Sequence, residues 1–296
     1  MAEVSDPINT AVAEEDLLAD DFGSLRLQKG DFSHYGKVGK NPKTAAIVMA
    51  GGTGSRFGIS GNKLLVEVEG KSILTWSMLA LDAVADIGFI VVVCPNELVG
   101  DFHKFAIKPF DFATPIKFAP AGISRQESAF NGLELVPEEY EFIITHDGAR
   151  PLISPPTVLH LLSELKGNPE CEGAVIGHPS IDTLKIVEDR IIVGTPDRNM
   201  FWTVQTPQVF RSGFYRRAHG NAMSDGFVAS DDACLVERMG GQVLVVEGKR
   251  TNIKLTVPED LELIQSALAA QNKRREAGLE YEKNEAKQHD QAELIG

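Results

Sequence analysis

A glycine-rich loop is the first part of the sequence whose residue types and spacing suit phosphate chemistry. Residues 51–56 read GGTGSR and follow directly on the apolar run 45–50. Glycines let backbone N–H groups approach phosphate oxygens closely, and Arg56 and the nearby Lys63 add positive charge. Phe57 stands where G-x-G-x-x-G needs its third glycine, so the dinucleotide pattern fails, as does G-x-x-x-x-G-K-[ST]. The spacing alone fits a phosphate loop or a glycine turn with surface cations about equally.

A second motif, HDGARP over residues 146–151, begins at the last residue of the predicted strand 142–146. In open α/β sheets, ligands bind at the carboxyl ends of the strands, so Asp147 and Arg150 would lie beside the glycine loop. There Asp147 is a candidate for holding Mg²⁺ on phosphates, and Arg150 for binding an anion. The alternative is that Asp147 caps a turn and pairs with Arg150. His146 fits a packed strand end better than a catalytic role.

Three later patches carry polar residues that a core strand would not need. They are DTLK at 182–185, Asp197-Arg198 together with TVQTPQ at 203–208, and NIKLT at 252–256. Lys254 precedes a predicted helix and is a candidate for binding an anion near the start of that helix. Each patch by itself is typical of a solvated loop. Because the sequence has no G-x-S-x-G elbow and no cysteine with an obvious base, it gives no indication of a covalent protein nucleophile.

The elements that must position these residues alternate between short runs rich in valine and isoleucine and longer segments of helical period, which predicts an α/β fold with a largely parallel sheet. The predicted strands are Ala45–Ala50, Phe89–Cys94, Ile116–Ala119, Phe142–His146, Ala174–His178 and Val243–Glu247. The predicted helices are Ile73–Val84, Gln126–Leu135, Pro156–Leu165, Asp231–Met239 and Pro258–Ala269.

The segment 184–210 breaks this alternation. LKIVEDRIIVG reads as a β-hairpin that turns near Asp189 and leads into a second extended segment. Excursions of this kind often reach a neighbouring molecule.

Helix ends are readable at two places. Ser230 is the predicted N-cap of the helix that begins at Asp231, and Gly240-Gly241 are predicted to end that helix. Thr256 and Glu259 have the spacing of a capping box.

Composition limits the function classes. The chain has 296 residues, 43% of them hydrophobic, and a formal net charge of −13, which disfavours broad capture of nucleic acid or an anionic membrane. An anionic substrate therefore needs a local cationic pocket. The three cysteines form no CxxC pair, which argues against a disulfide framework and a zinc site and favours a cytoplasmic protein.

The two ends of the chain differ from its centre. Residues 1–42 are acidic, without the apolar stretch of a secretory signal, and are predicted to be a disordered leader. Residues 43–271 form the predicted folded domain, and residues 272–296 lack a sustained apolar stripe, which predicts a flexible tail. Apolar runs of about six residues are far shorter than the roughly 20 that a membrane helix needs.

Taken together, the motifs resemble the sugar-phosphate nucleotidyltransferases, and most closely the methylerythritol phosphate cytidylyltransferases among them. The resemblance runs from about Thr44 to Ala269. In family order, the matching motifs are AGGTGSRFG with Lys63, SRQESAFNGL, HDGARP, IDTLK, DRNMFWTVQTPQVF, SDDACLVE and EGKRTNIKLTVPEDL.

The resemblance implies a Rossmann-like, mostly parallel sheet flanked by helices, and an enzyme that transfers CMP from CTP to 2-C-methyl-D-erythritol 4-phosphate. The products are 4-diphosphocytidyl-2-C-methyl-D-erythritol and pyrophosphate, and the reaction uses Mg²⁺ without an enzyme-bound intermediate. The resemblance also implies roles for particular residues. Arg56 and Lys63 would stabilise the transition state, and Arg198 and Lys254 would position the attacking phosphate. Asp147 would be the metal ligand. CTP would be bound by Ala50, Gly51, Gly52, Thr53, Gly54, Ser128, Asp147 and Gly148, and the substrate would be contacted by Arg150, Thr183 and Thr206.

In the resembling family, an arm crosses to a second subunit. Residues 183–210 would be that arm, so Thr183 would complete the partner's site in a homodimer. Two alternatives stay open. One is a cytidylyltransferase for a pentitol phosphate such as ribitol 5-phosphate, and the other is a noncatalytic nucleotide-binding protein on the same fold.

Overall fold

The computed structural model describes residues 41–52 and 62–273, so nearly all of the predicted leader and most of the predicted tail lie outside the described residues. Within these ranges the chain forms a seven-stranded sheet in the order β11-β7-β10-β6-β1-β4-β5. β10 is antiparallel to both of its neighbours, and the other neighbouring pairs are parallel. The predicted α/β fold with a largely parallel sheet is confirmed.

Six of the eleven predicted elements are longer in the structure by one to three residues at an end, three are shifted along the chain, and the predicted helices 73–84 and 231–239 are shorter than expected. The strands are β1 Thr44–Met49, β2 Glu67–Val68, β3 Lys71–Ser72, β4 Ile87–Cys94, β5 Ile116–Pro120, β6 Phe142–Asp147, β7 Cys171–Pro179, β8 Ile186–Glu188, β9 Ile191–Gly194, β10 Trp202–Arg211 and β11 Gln242–Glu247. The helices are α1 Ile73–Asp82, α2 Val99–Phe102, α3 Arg125–Glu134, α4 Pro155–Gly167, α5 Ser212–Asp225, α6 Asp232–Arg238 and α7 over residues 259–273.

The core lies on both faces of the sheet because side chains alternate along each strand. On β1, Ala46 and Val48 belong to a cluster that includes residues of α1, α4 and α7. Ala45 and Ile47 point to the opposite face, where they join residues of α3, α5 and α6. This accounts for the near-continuous apolar sequence of the central strands, which are buried on both faces.

Strand register brings the two predicted phosphate motifs together. Met49, the last residue of β1, pairs with Asp147, the last residue of β6. On the other side of β1, Met49 pairs with Val93 of β4. The glycine loop and Asp147 therefore leave the same edge of the sheet side by side.

The predicted hairpin is also confirmed. β8 and β9 pair antiparallel, and the turn between them has positive φ at Asp189 (46°) and Arg190 (70°), as a tight hairpin requires. The hairpin exposes a row of large apolar side chains, which are Ile186, Val187, Ile191, Ile192 and Val193.

Two predicted caps are wrong. The N-cap of α6 is Asp231 rather than Ser230, because the Asp231 carboxylate accepts a hydrogen bond from the Cys234 N–H at 3.1 Å. Before α7, Asp260 rather than Glu259 accepts from the N–H groups of Thr256 and Val257. The predicted end of α6 is confirmed, since Gly240 has a φ of +79°, a conformation that suits a residue without a Cβ atom.

No helix in the described ranges is both long enough and apolar enough to span a bilayer.

Candidate functional site

The carboxyl edge of β1, β5 and β6 opens into a cleft of about 340 Å³. Gly51, Gly52, Lys63, Ser128, Asp147 and Lys254, all predicted site residues, line this cleft. Thr53, Gly54 and Arg56 lie outside the described residues. The structure thus brings together residues that the sequence spreads from the first strand to the last loop.

The walls of the cleft approach each other closely at Gly51. A Cβ atom on Gly51 would lie 2.9 Å from the Cβ atom of Ala121, a separation that real side chains do not tolerate. Ala50 and Ala121 both donate backbone hydrogen bonds to β4, to Val93 and Cys94 respectively. The absence of a side chain at Gly51 therefore lets the loops after β1 and β5 meet over the end of β4.

Asp147 is a carboxylate of the cleft that three cationic side chains surround. Its carboxylate lies 2.8 Å from Lys254 Nζ and 3.8 Å from the Nε atoms of both Arg150 and Arg125. Burial alone would raise the pKa of Asp147, but the attraction of Lys254 and then of Arg125 and Arg150 lowers it to about 2. The carboxylate is therefore ionised at neutral pH and holds three cations near one point.

The backbone of Asp147 is fixed by β10. The buried Thr206 hydroxyl accepts a hydrogen bond from the Asp147 N–H at 2.9 Å and lies 3.3 Å from His146 Nδ1. Burial lowers the pKa of His146 to about 4, so this imidazole is neutral at physiological pH. His146 is packed, as the sequence indicated, and Thr206 contacts the Asp147 backbone.

Lys254 and Lys63 are joined through one loop. The N–H of Leu255 donates to the carbonyl of Ala149 at 2.8 Å, which ties this loop to the residues after β6. Lys63 Nζ donates to the Leu255 carbonyl at 2.6 Å. Lys63 begins a short 3-10 turn whose N-cap is Asn62, since the Asn62 side chain accepts from the Leu64 N–H. Two amines thus reach the cleft from opposite ends of the chain.

Arg150 is hydrogen-bonded to the loop that carries Lys254. Its NH1 donates to the Asn252 carbonyl at 2.7 Å. The buried Asn252 side chain in turn donates to Gln205 and to the Thr206 carbonyl. This network links the loop that carries Lys254 to β10 and to the end of β6.

The loop before α3 is organised by serine side chains. Ser124 caps α3 by accepting from the Glu127 N–H at 3.0 Å. Ser128 accepts from the Gly122 N–H at 2.9 Å and donates to the Ser124 carbonyl at 2.8 Å. This ordered loop forms one wall of the cleft, so Ser128 contributes to the site through the loop that it holds.

Gly148 is buried behind the site. Its N–H donates to the Met49 carbonyl, and its carbonyl accepts from the Ser77 hydroxyl. A Cβ atom there would lie 2.9 Å from Leu74 Cδ1. Gly148 therefore packs the Asp147 loop onto α1.

Arg125 is a residue of the cleft to which no role was assigned from the sequence. It lines the cleft together with Ser124 and Thr256 and is the first residue of α3. The signal was present, because residues 124–128 follow the carboxyl end of the predicted strand 116–119, where ligand-binding loops occur. Its buried partner Asp232 is far away in the sequence, and only the fold brings the two together.

Thr183 and Arg198 are not among the residues that line the cleft. Both are exposed beside the β8–β9 hairpin, and Arg198 NH1 donates to the Ile181 carbonyl at 2.8 Å. The structure therefore does not bring Thr183 and Arg198 to the cleft of the same chain, and their roles as substrate contacts stay a prediction.

Asp147 is the group in the cleft best suited to Mg²⁺. In residues 41–52 and 62–273, no group of three or more His, Cys, Asp and Glu side chains gathers as a metal cage. Mg²⁺ on nucleotides needs no such cage, because phosphates and water supply most of its oxygen ligands beside one or two carboxylates. The ionised carboxylate of Asp147, on the floor of a cationic cleft, fits that arrangement.

The chain matches a known family over most of its length. The family model described as 2-C-methyl-D-erythritol 4-phosphate cytidylyltransferase matches residues 44–270. These limits enclose nearly all the described residues.

Relatives with that name match a similar share of the chain. The protein from Caldanaerobacter subterraneus subsp. tengcongensis is 38% identical over 218 residues, which are 73% of this chain and 95% of that protein. The protein from Nostoc sp. is 36% identical over 223 residues, 75% of this chain and 96% of that protein.

Solved structures agree. The crystal structure of 4-diphosphocytidyl-2C-methyl-D-erythritol synthase from Anaerococcus prevotii superposes with a TM-score of 0.67 at 28% identity and covers 77% of this chain and 99% of that one. The 2-C-methyl-D-erythritol 4-phosphate cytidylyltransferase from Thermus thermophilus gives a TM-score of 0.61 at 30% identity, over 75% and 97% of the two chains.

Proposed function

The chain belongs to the 2-C-methyl-D-erythritol 4-phosphate cytidylyltransferase family, and we propose on that basis that it transfers CMP from CTP to 2-C-methyl-D-erythritol 4-phosphate. The products are 4-diphosphocytidyl-2-C-methyl-D-erythritol and pyrophosphate, and the reaction serves isoprenoid precursor synthesis. The observation that carries the proposal is the group of three cations around Asp147 at the carboxyl edge of the sheet.

The reaction joins two phosphates. An oxygen of the acceptor's phosphate attacks the α-phosphorus of CTP, the bond from that phosphorus to the bridging oxygen of the β-phosphate breaks, and pyrophosphate leaves with the electron pair. Such transfers depend mainly on positioning and charge stabilisation. A cleft with several fixed cations and no protein nucleophile suits this chemistry.

Lys63 and Arg56 stabilise the transition state in this proposal. Lys63 Nζ is held against the Leu255 carbonyl, which places an ammonium group at the cleft before substrate enters. Preorganised charge of this kind is worth more than a mobile lysine, because it costs no reorganisation during the reaction. Arg56 has the same role on the glycine loop.

Lys254 and Arg150 bind the anionic groups of the substrates. Both pair with Asp147, and the Lys254 side chain is 41% exposed, so its ammonium group is accessible from the cleft. When phosphate oxygens enter, Lys254 and Arg150 pair with the phosphate in place of the Asp147 carboxylate. Arg198 joins Lys254 in positioning the attacking phosphate.

CTP is bound by the glycine loop, from Ala50 to Gly54, and by the loop that Ser128 orders. Gly51 and Gly52 line the cleft, and no atom of the described residues lies within 4 Å of the place where a Cβ atom on Gly52 would be, so phosphate oxygens can approach the backbone there. Thr206 and Gly148 support this site by fixing the backbone of Asp147 and packing the loop after it.

Asp147 would hold Mg²⁺. When bound, the ion neutralises charge on the triphosphate and on the leaving pyrophosphate. The low pKa of Asp147, which follows from the cations that outweigh its burial, keeps the carboxylate ready to coordinate at any physiological pH.

The arm, residues 183–210, is proposed to cross to a second subunit in a homodimer. Its hairpin carries Ile191 at 68% and Ile192 at 59% exposure, and contiguous apolar surface of this kind is typical of an interface. The exposed Thr183 and Arg198 would then complete the partner's cleft. This explains why the cleft of the same chain does not include them.

We further propose that residues 43–271 are the catalytic domain, that the acidic residues 1–42 form a disordered leader and residues 272–296 a flexible tail, and that the enzyme works in the cytoplasm. Cys94, Cys171 and Cys234 are free thiols, which fits a reducing compartment.

The proposal is tested by incubating the protein with CTP, MgCl₂ and each candidate acceptor, and measuring pyrophosphate release. Release with methylerythritol phosphate supports it. Release only with ribitol 5-phosphate would move the assignment to a pentitol branch, and CTP binding without release would indicate a noncatalytic protein.

A further inference from the structure

Asp147 has three cationic neighbours, and they differ in how they are held. Lys254 and Arg150 lie on loops that meet at the cleft. In the proposed function, both residues bind the anionic groups of the substrates. Arg125 has a different anchor, because its NH1 donates to Asp232 Oδ2 at 2.7 Å. Within the described part of the chain, this is the one hydrogen bond that the Arg125 guanidinium donates.

Asp232 is deeply buried and has two donors. Its side chain is 1% exposed, and its other oxygen accepts from the Tyr215 hydroxyl at 2.9 Å. A buried carboxylate with an arginine and a phenol on its two oxygens has little freedom to turn. Asp232 therefore fixes the position of Arg125.

Tyr215 is fixed in turn by aromatic packing. Its ring stacks on Phe210 with centroids 4.6 Å apart and an interplanar angle of 8°. On another side it meets the edge of His219, also at 4.6 Å. The contacts thus form a continuous path from the buried face of α5, through Tyr215, Asp232 and Arg125, to the carboxylate of Asp147.

We infer that the buried pair Asp232–Arg125 positions the Asp147 carboxylate for the magnesium complex of CTP, and this rests on the proposed function. Arg125 stays in place when phosphates draw Lys254 and Arg150 away, so Asp147 keeps one cationic neighbour and its orientation. Asp232 acts through Arg125 and is a positioning residue.

The charges agree with this division. Burial lowers the pKa of Arg125, but the attraction of Asp232 and Asp147 outweighs it and raises the pKa above its ordinary value. Arg125 consequently remains a cation between the two carboxylates. A neutral residue there would take one partner from each carboxylate, and Asp147 would then depend for its orientation on Lys254 and Arg150, the two cations that the substrates engage.

The test uses Asp232→Asn with Asp231→Asn as the matched control. The neighbouring Asp231 caps α6 and accepts from Gln208, its contacts in the structure do not include Arg125, and asparagine is an equally good N-cap. The measurement is the dissociation constant for CTP by calorimetry, once with MgCl₂ and once with EDTA.

We expect Asp232→Asn to weaken CTP binding in MgCl₂ by about tenfold to a hundredfold, the usual effect of losing a partner that orients a metal ligand. Binding in EDTA should change by less than about threefold, as should both constants for Asp231→Asn. A pair that only ties α3 to α6 would affect the two conditions alike.

Two further variants keep the inference testable if Asp232→Asn does not fold. Tyr215→Phe removes the second donor to Asp232 and should give a smaller loss of the same magnesium-dependent kind. In an Arg125→Met background, Asp232→Asn should add less than about a twofold change, because Asp232 acts only through Arg125.

The inference is overturned if the magnesium-dependent affinity of Asp232→Asn equals that of Asp231→Asn, or if the two substitutions at 125 and 232 are additive. Turnover separates this outcome from the proposed function. A wild-type protein that binds the magnesium complex of CTP but releases no pyrophosphate with methylerythritol phosphate contradicts the function and leaves the binding comparison valid.

Discussion

Lys254 Nζ and Asp147 Oδ2 lie 2.8 Å apart and join the loop after β11 to the carboxyl end of β6. The pair is placed by backbone on both sides, since Leu255 donates to Ala149 and Asp147 donates to Thr206. The amine and the carboxylate therefore lie where phosphates must pass. This geometry makes the charge of each group, more than its contribution to folding, the feature that substitutions should reveal.

Lys254→Met should lower kcat by about a hundredfold, because the attacking phosphate would no longer be held in line with the α-phosphorus of CTP. The melting temperature should change little, because the Lys254 side chain is 41% exposed and Arg125 and Arg150 still face the Asp147 carboxylate. Lys249→Met is the control, since Lys249 is exposed on the same loop. Equal activity in the two variants would remove Lys254 from the mechanism.

Lys63→Met should also lower kcat by about a hundredfold, while KM for CTP changes less. The reason is that Lys63 stabilises charge that grows during the reaction, and the ground state gains less from it. Steady-state kinetics measures both constants, with the exposed Lys117→Met on β5 as control. A rise in KM with kcat unchanged would show that Lys63 only binds substrate.

Gly132→Ala should destabilise the fold. A Cβ atom at Gly132 would lie 2.6 Å from Ile47 Cγ2 and 2.7 Å from Val93 Cγ2, and both neighbours are branched residues in central strands. Such overpacking costs about 1 to 3 kcal/mol. Urea unfolding measures the free energy.

The same substitution at Gly220 is the matched control. Gly220 lies on α5, exposed, with nothing within 4 Å of an added Cβ atom. Alanine there should stabilise the protein by about 0.5 to 1 kcal/mol through helix propensity. Two changes of the same sign would contradict the close packing of α3 on the sheet.

His219 should make the protein less stable in mild acid. Burial lowers the pKa of His219 to about 4, against a partly compensating attraction of Asp232. Between pH 6.5 and 4 the unfolded chain then binds the proton and the folded chain does not, so stability falls as pH falls. The loss reaches about 3 kcal/mol by pH 4, with a similar contribution from His146, whose pKa is also about 4.

His219→Leu should flatten this dependence by about half, because His146 still contributes. Urea unfolding at a series of pH values gives the slope independently of the absolute stability of the variant. An unchanged slope would mean that His219 takes up its proton in the folded state as readily as in the unfolded chain.

Ile192→Asp should weaken the proposed dimer by at least about tenfold, because a carboxylate would be buried in an apolar interface. Sedimentation measures the association, and activity should fall with it if Thr183 and Arg198 serve the partner's cleft. Leu159→Asp places the same charge on an exposed position of α4 and should leave association intact. A monomeric wild-type protein with full activity would contradict the arm proposal.

Much of the fold follows from local pattern. The central strands were predictable because both are buried along their whole length: Ile87–Cys94 reads as an almost continuous apolar run, and Phe142–Asp147 opens with Phe142-Ile143-Ile144. The hairpin was predictable from alternation around Asp189. Both signals depend on residues close in the sequence.

Helix α5 was missed for a physical reason. Ser212–Asp225 carries Gly213, Gly220 and several charges, so its composition does not favour a helix. Its buried face, Tyr215, Ala218, His219 and Ala222, has helical spacing but includes small and polar side chains. Packing against α6 and the sheet decides this element.

The site was predictable only in part. Asp147, Lys63 and Lys254 follow from strand ends and recognisable motifs. Asp232 could not be given a partner from the sequence, because its bond to Arg125 joins the starts of two helices that are far apart along the chain. Asp231 replaced Ser230 as a cap because both suit the position and only the backbone distinguishes them.

The most direct test of the account is the ratio of kcat/KM for methylerythritol phosphate to that for ribitol 5-phosphate, measured by pyrophosphate release with saturating CTP and MgCl₂. The account predicts a ratio of at least about a hundredfold, within the range that a site built for one polar substrate achieves against another. A ratio near one, or a preference for ribitol 5-phosphate, would contradict it.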